Sequence, residues 1–186
     1  AYFCVILEWP WFMAIIGALG TGALAGAING QIISRTRIPA FIVTLGMLGI
    51  ARGLSFIIAP NGGAIYGLPS TVIYLGQGRP LGIPTPVIIL AVTALTAHYV
   101  LAYSRFGRHT LAIGSSEEAA RRVGINVERH LLKVYVVGAL ASGLGGFLAA
   151  AYFSTTSVAG HSTDNLSAIT AVALGGTSLF GGIASI

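Results

Sequence analysis

The stretch SRFGRHTLAIGSSEEAARRVGINVERHLLK, residues Ser104–Lys133, is a polar island in an otherwise apolar chain. It contains nine of the fifteen Asp, Glu, Lys and Arg residues of the sequence. The uncharged runs on both sides of it are long enough to cross a lipid bilayer as helices. The island is therefore expected to be a loop between two membrane spans.

A short helix with defined ends is predicted inside this loop. Ser115 and Glu118 fit a capping box, in which the hydroxyl caps an early backbone N–H and the glutamate reaches back. Gly124 provides a left-handed C-cap. Two pairs of opposite charge are spaced four residues apart with the acid first, an order that suits the helix dipole. These pairs are Glu117–Arg121 and Glu118–Arg122.

One face of this short helix is apolar and carries Ala119, Ala120 and Val123. A helix of about two turns is marginal on its own in water, so it is expected to dock against something. Two interpretations remain open from the residues alone. The helix is either a solvated loop helix or a coupling element presented to a partner on one side of the membrane.

The composition of the whole chain places it in a bilayer. The 186 residues are 55% hydrophobic and 8% charged, and the mean hydropathy is +0.85. Soluble domains average about 25% charged residues. The net charge is +5, but the basic residues flank apolar runs, which is typical of topology signals and not of nucleic-acid binding. With the single Cys4, the sequence cannot form an internal disulfide.

These patterns predict an all-α polytopic membrane protein with one transmembrane domain, residues 1–186, and a loop at 104–133. Residues 60–86 carry many turn and breaker signals and are expected to be irregular. The last predicted span is broken or short, because Gly175-Gly176 and Gly181-Gly182 interrupt it. The four or five spans are expected at about 10–33, 39–59, 87–103, 134–153 and 166–180.

Small residues recur every four positions on two of these spans. Such stripes let another helix approach closely, so they are predicted to be helix-packing faces. They comprise Gly22, Gly26 and Gly30 on the first span and Gly138, Ser142, Gly146 and Ala150 on the fourth.

The basic residues also predict the orientation. If the island faces the cytoplasm, the turn at Ser34–Arg37 faces it too, because the spans alternate in direction. The inner loops then hold eight Lys and Arg residues, and the outer loops hold Arg79 alone. This asymmetry fits the positive-inside rule. The eight inner residues are Arg35, Arg37, Arg105, Arg108, Arg121, Arg122, Arg129 and Lys133.

Catalytic and metal-binding patterns are missing from the sequence. It has no GxxxxGK[ST] phosphate loop, no HExxH, no GxSxG and no paired His/Cys spacing. The chain is therefore expected to be no enzyme, with no catalytic residue, metal or cofactor of its own. Any energy source would belong to a partner.

Three stretches resemble the permease subunits of bacterial sugar ABC importers of the ribose/xylose/galactose type. They are FGRHTLAIGSSEEAARRVGINV at 106–127, RIPAFIVTLGMLGIARGL at 37–54 and LSAITAVALGGTSLFGG at 166–182. The resemblance covers nearly the whole chain from about Gly17 onward. Permeases of this kind have more spans than the four or five expected here, so the chain is expected to be a fragment.

The resemblance implies three protein partners at a bacterial inner membrane: a cytoplasmic ATPase subunit that binds ATP, an extracytoplasmic solute-binding protein and a second permease copy. The coupling residues would be Ser115, Glu117, Glu118, Ala119, Ala120, Arg121, Gly124 and Ile125. Candidates for the translocation path are Asn29, Thr44, Arg52, Gly175 and Gly176. For Arg52 the favoured alternative is that its side chain extends to the far headgroups.

Other functions stay open at this point. A branched-chain amino-acid or nucleoside permease would have a related architecture, and the solute cannot be read from these residues. A secondary transporter is disfavoured because no carboxylate falls within a predicted span. A membrane enzyme is disfavoured by the missing catalytic patterns.

Overall fold

The computed structural model describes residues 5, 10–36, 38–59, 64–157 and 164–176. Most of these residues are helical, and one short two-stranded ribbon accompanies the helices. The helices are α1 (Trp11–Arg35), α2 (Ala40–Ile58), α3 (Ser70–Gln77), α4 (Thr85–Tyr103), α5 (Arg105–Ser115), α6 (Glu117–Arg122), α7 (Val127–Phe153) and α8 (Asp164–Leu174). The strands are β1 (Ala64–Tyr66) and β2 (Thr155–Ser157), and a 3-10 turn covers Pro80–Gly82.

Four of these helices, α1, α2, α4 and α7, are long and apolar enough to cross a membrane. Pro10, Pro39 and Pro84 stand at the N-cap positions of the first three. Proline suits the start of a helix because its fixed φ is helical and its missing N–H is not needed there. The ends of these three helices lie within two residues of the bounds predicted from the sequence.

The helix α7 begins at Val127, seven residues before the span predicted at 134–153. Asn126 starts it, because its Oδ1 accepts a hydrogen bond from the backbone N–H of Arg129 at 3.1 Å. An Asn at the N-cap satisfies a donor that the first helical turn leaves free. The polar end of the island is thus two turns of helix continuous with the span.

The helices α1 and α7 pack antiparallel along the glycine stripe of α1. A Cβ built on Gly22 would lie 2.6 Å from the carbonyl oxygen of Ala139, and one on Gly26 would lie 2.6 Å from that of Tyr135. One on Gly30 would lie 2.9 Å from the Cα of Leu132. The two backbones therefore touch where the first stripe was predicted to form a packing face.

The stripe predicted on α7 is not the face that contacts α1. The contacting positions are Tyr135, Ala139 and Gly143, and a Cβ on Gly143 would lie 2.6 Å from the carbonyl oxygen of Ala18. Cβ atoms on Gly138 and Gly146 would meet nothing within 4 Å among the described residues. Both series have a four-residue spacing, but Ala139 and Gly143 each lie one position after the predicted Gly138 and Ser142, so they are on a neighbouring face of the helix.

The other end of α7 is covered by α3, which the sequence analysis had placed in an irregular segment. Gly76 of α3 lies against the backbone of Ala151 and Tyr152 so closely that no side chain fits there. Gln77 Nε2 donates to the carbonyl oxygen of Tyr152 at 2.8 Å. The buried core at this end consists of Ala14, Leu68, Val72, Phe147, Ala150 and Ala151.

The ribbon links the ends of α2 and α7. β1 follows α2, β2 follows α7, and they pair antiparallel with Ile65 opposite Thr156. Both helices must therefore end on the same side of the bundle. This agrees with the alternating direction of the spans.

The last described helix, α8, has 11 residues, fewer than a membrane span needs. It ends before Gly175-Gly176, and Gly176 has a φ of +83°. The rest of the span predicted at 166–180, residues 177–180, lies outside the described residues.

Candidate functional site

The polar island folds into three helical pieces at one end of the bundle: α5, α6 and the first two turns of α7. The sequence analysis predicted a single short helix there, and it missed α5. Ser104 starts α5 by accepting a hydrogen bond from the backbone N–H of Gly107 at 3.1 Å. Gly107 lies directly against the backbone of Leu101, so α5 can fold back sharply on α4.

A buried histidine fixes α5 to α7. His130 of α7 is 7% exposed, and its Nε2 lies 2.8 Å from the hydroxyl oxygen of Thr110 on α5. The ring of Phe106 covers it at a centroid distance of 4.8 Å. The sequence analysis did not single out these three residues. The signal for them was the spacing of Phe106 and Thr110, which places both on one face of a helix.

The N-cap of α6 is Ser116, not Ser115. The Ser116 side chain accepts a hydrogen bond from the backbone N–H of Ala119 at 3.2 Å, and Ser115 is the last residue of α5. The predicted capping box of Ser115 with Glu118 is therefore wrong by one position. With the cap at Ser116, the third helical residue is Ala119, which has no side chain that could reach back.

Both predicted ion pairs are present on α6. Arg121 Nη2 lies 2.9 Å from Glu117 Oε1, and Arg122 Nη2 lies 2.6 Å from Glu118 Oε1. Arg121 Nη1 also lies 3.8 Å from Glu128 Oε1 on α7. Pairs this exposed contribute little stability, typically below about 1 kcal/mol. Their effect is to fix the direction of the Arg121 side chain between α6 and α7.

Gly124 ends α6 in the left-handed conformation, with a φ of +84°. The backbone N–H of Gly124 donates to the carbonyl of Arg121 at 3.0 Å, and that of Ile125 donates to the carbonyl of Ala120 at 3.1 Å. These two bonds form a Schellman motif. The α6 backbone therefore has defined hydrogen-bonded ends on both sides.

The apolar side chains of α6 do not form one exposed stripe. Ala120 is 3% exposed and faces the chain's own interior, whereas Val123 is 76% exposed and Ala119 is also exposed. Ala120 therefore does not share an exposed apolar face with Ala119 and Val123 as predicted, and its part in coupling stays a prediction. The face that is free in the described structure carries Ala119 and Val123, with Glu118 and Arg122 beside them.

A cleft of about 640 Å³ separates α6 from the turn between α1 and α2. Residues of both loops line it, including Ser34 and Arg35 from the turn and Glu117, Arg121 and Glu128 from the island. The turn and the island therefore lie on the same side of the bundle. The charge pattern of the sequence had placed them together independently.

The path candidates lie on three different helices. Asn29 is on α1, and its buried Oδ1 has no hydrogen-bond partner among the residues that the structure describes. Thr44 of α2 donates to the Ala40 carbonyl of its own helix at 3.1 Å. Arg52 of α2 is exposed, as are Gly175 and Gly176 after α8. The described contacts do not gather these residues into one site.

No residue of α2 or α4 is buried within the described part of the chain. Their apolar side chains, such as Phe41 at 63% and Leu95 at 69% exposure, would be unstable in water. Surfaces of this kind require lipid or further protein around them. The described residues contain no cluster of three or more His, Cys, Asp or Glu side chains that could hold a metal ion.

The profile of one protein family, described as "Branched-chain amino acid transport system / permease component", matches residues 1–185. The chain belongs to this family. The match to this family and the four long apolar helices confirm the prediction of an all-α polytopic membrane protein of the ABC permease type. The resemblance to sugar importer permeases is confirmed as well, by the relatives that follow.

The chain is similar to several sugar permeases of this family. The ribose import permease protein of Escherichia coli (strain K12) is 38% identical over 173 residues, which cover 91% of this chain and 54% of that protein. The fructose import permease protein of Rhizobium meliloti is 34% identical over 184 residues, covering 95% and 51%. The L-arabinose ABC transporter permease protein of Azospirillum brasilense is 36% identical over 174 residues, covering 94% and 51%.

The chain thus spans about half the length of the curated relatives it matches. No solved structure matches it significantly.

Proposed function

We propose that the protein to which this chain belongs is the membrane-spanning permease subunit of an ATP-driven importer. In this proposal the exposed face of α6 binds a cytoplasmic ATPase subunit. The observation that supports this binding role is the structure of α6. It is a short helix with hydrogen-bonded caps at both ends, its Arg121 lies beside Glu128 of α7, and Ala119 and Val123 face outward.

The proposed solute is a sugar. The printed names of similar permeases refer to ribose, fructose, D-allose and L-arabinose, and all are 32% or more identical to this chain. The family description names branched-chain amino acids, which keeps that solute class as the second candidate. Sugars are favoured because the similar proteins resemble the chain over most of its length.

The proposed translocation path runs along α1 and α2. Asn29 supports it, because a buried amide oxygen without a partner is costly and free to bind a polar solute or water. Thr44 and Arg52 on α2 and the helix break at Gly175-Gly176 are the further candidates. An arginine within a span is a functional-site candidate by default, and for Arg52 the favoured alternative stays extension of its side chain to the far headgroups.

Two further partners belong to the proposal. A second permease copy, together with the part of the permease beyond this chain, would cover the exposed faces of α2 and α4. A solute-binding protein would contact the side of the ribbon and α3, opposite the loops. The protein would lie in a bacterial inner membrane and bind no cofactor itself, because ATP would be bound by the ATPase subunit.

The test is transport by the full-length permease in proteoliposomes, with labelled ribose or leucine as the solute. The expected result is ribose uptake that requires the ATPase subunit, the binding protein and ATP. Uptake of leucine instead would assign the second solute class. Ribose or leucine uptake driven by a proton gradient without the ATPase would overturn the proposal.

A further inference from the structure

Four exposed side chains cluster where α4 ends and α5 begins. Tyr99 and Tyr103 are one turn apart on α4, they are 66% and 69% exposed, and their ring centroids are 5.4 Å apart. Arg105 and Arg108 follow on α5 and are also exposed. Arg108 Nη1 donates to the carbonyl oxygen of Tyr103 at 3.3 Å, which holds the guanidinium beside the tyrosine pair. We call these four residues the Tyr–Arg patch.

With the orientation predicted from the basic loops, the patch would lie where the membrane meets the cytoplasm. α4 is an apolar span with no buried residue in the described structure, and the tyrosines occupy its last turns on the side of the basic loops. Tyrosine is enriched at this level because its ring is apolar and its hydroxyl is polar. Arginine at the end of a span extends its charge into the headgroup layer.

The patch is positively charged, and no carboxylate of the described residues pairs with it. The sequence holds no Asp or Glu from Trp9 to Ser116. The nearest acids along the chain, Glu117 and Glu118, are already paired with arginines of their own helix. Neither Arg105 nor Arg108 forms an ion pair within the residues that the structure describes.

We propose that the Tyr–Arg patch binds the phosphate group of an anionic phospholipid in the cytoplasmic leaflet. The two guanidinium groups would donate to the phosphate oxygens, which is the geometry that arginine suits best. The tyrosine rings would lie against the part of the lipid chains next to the headgroup, continuous with the lipid-facing surface of α4. This continuity with an apolar span favours a lipid over a soluble partner.

This site is separate from the proposed coupling surface. Arg105 and Arg108 are exposed on α5, whereas Phe106 and Thr110 of the same helix contact His130 of α7. The proposal therefore does not rest on transport activity. It requires a protein embedded in a membrane.

The test is native mass spectrometry of the full-length permease titrated with phosphatidylglycerol or with neutral phosphatidylcholine. The wild type should bind phosphatidylglycerol more tightly. In Arg105→Gln/Arg108→Gln, phosphatidylglycerol affinity should fall at least about fivefold, the amount expected for one arginine near an anionic surface. Phosphatidylcholine affinity should not change.

Two controls isolate the contribution of charge at this position. Arg105→Lys/Arg108→Lys keeps the charges and should stay within about twofold of the wild type, since lysine also binds phosphate as a point charge. Arg79→Gln removes an exposed arginine on the opposite side and should leave the affinity unchanged. If the double glutamine variant is not recovered from the membrane, the phosphatidylglycerol affinities of the single variants Arg105→Gln and Arg108→Gln test the proposal instead.

Equal affinity of the wild type for the two lipids would overturn the proposal. So would unchanged phosphatidylglycerol affinity in the glutamine variants. If those variants keep the lipid affinity and lose ATPase binding, the patch is a protein-binding surface instead.

Discussion

The Nε2 atom of His130 lies 2.8 Å from the hydroxyl oxygen of Thr110, and this contact joins the loop helix α5 to the span α7. It is enclosed by the ring of Phe106 and is almost fully shielded from solvent. A polar contact in such a setting is directional, so it fixes the position of α5 more narrowly than apolar packing alone. Movement of α7 would therefore be transmitted to the loop.

Removing this contact should loosen the loop. Thr110→Val leaves a buried histidine nitrogen without a partner, which typically costs about 1–3 kcal/mol. We expect faster proteolysis at the basic residues of α5 and α6 and a lower midpoint of thermal unfolding in detergent.

The matched control is Thr96→Val on α4, because the Thr96 hydroxyl is exposed and bonds within its own helix. That change should alter neither the rate of proteolysis nor the midpoint of thermal unfolding. Equal behaviour of the two variants would show that the contact does not hold α5 in place.

A leucine at Gly26 should separate α1 from α7. The Cβ alone would lie 2.5 Å from the Cβ of Ala139 and 2.6 Å from the carbonyl oxygen of Tyr135. Overpacking typically costs about 1–3 kcal/mol, and here the obstacle includes backbone, which cannot rotate away. The yield of folded protein in size-exclusion chromatography should therefore fall sharply.

Gly20→Leu serves as the control on the same helix, since a Cβ there would meet nothing within 4 Å among the described residues. It should be recovered like the wild type. Normal recovery of Gly26→Leu would contradict the observed packing of the two helices.

The orientation of the chain can be tested by cysteine labelling in a background without other cysteines. A cysteine at Ser116 should react with reagent that reaches the cytoplasm, because the positive-inside rule places the basic loops there. A cysteine at Tyr66, which is 70% exposed on β1, should react from outside. The reverse pattern of labelling would invert the orientation and remove α6 from the cytoplasm.

The long helices could be predicted from the sequence because their signals are local. Pro10, Pro39 and Pro84 mark where three spans begin, and each is followed by an uncharged or nearly uncharged run. The Glu117–Arg121 and Glu118–Arg122 pairs and the Gly124 cap depend on spacing within one short segment. Such features form before any tertiary contact is needed.

The features that were missed depend on distant residues or on close alternatives. Ser115 and Ser116 can both cap a helix, and the extension of α5 decides between them. Helix α3 lies between prolines and glycines that read as turns, and it is stabilised against Ala151 and Tyr152, about 75 positions further along the chain. The burial of Ala120 likewise follows from the fold of the whole loop and not from the helical pattern of α6.

The left-handed residue after α6 should be required for coupling. Gly124→Val would force a branched residue into a φ of +84°, at a cost of about 1–2 kcal/mol. We expect the permease to stay in the membrane while ATP-driven uptake falls, because the end of α6 is no longer fixed.

Gly124→Asn is the matched control for this change. Asparagine tolerates the left-handed conformation, so this variant should retain most of the uptake. If the valine and asparagine variants transport equally well, the cap has no part in coupling.

The most direct test of the proposed coupling surface is the affinity of the ATPase subunit for the full-length permease in nanodiscs. Ala119→Trp and Val123→Asp alter the exposed face of α6, and Ala112→Trp adds the same bulk at an exposed position on α5. Each α6 variant should lower the affinity at least about tenfold. Truncating or blocking a central contact of an interface typically costs about 2 kcal/mol or more of binding free energy. Ala112→Trp should bind like the wild type. Wild-type affinity in both α6 variants would contradict the assignment of α6 as the ATPase-binding element.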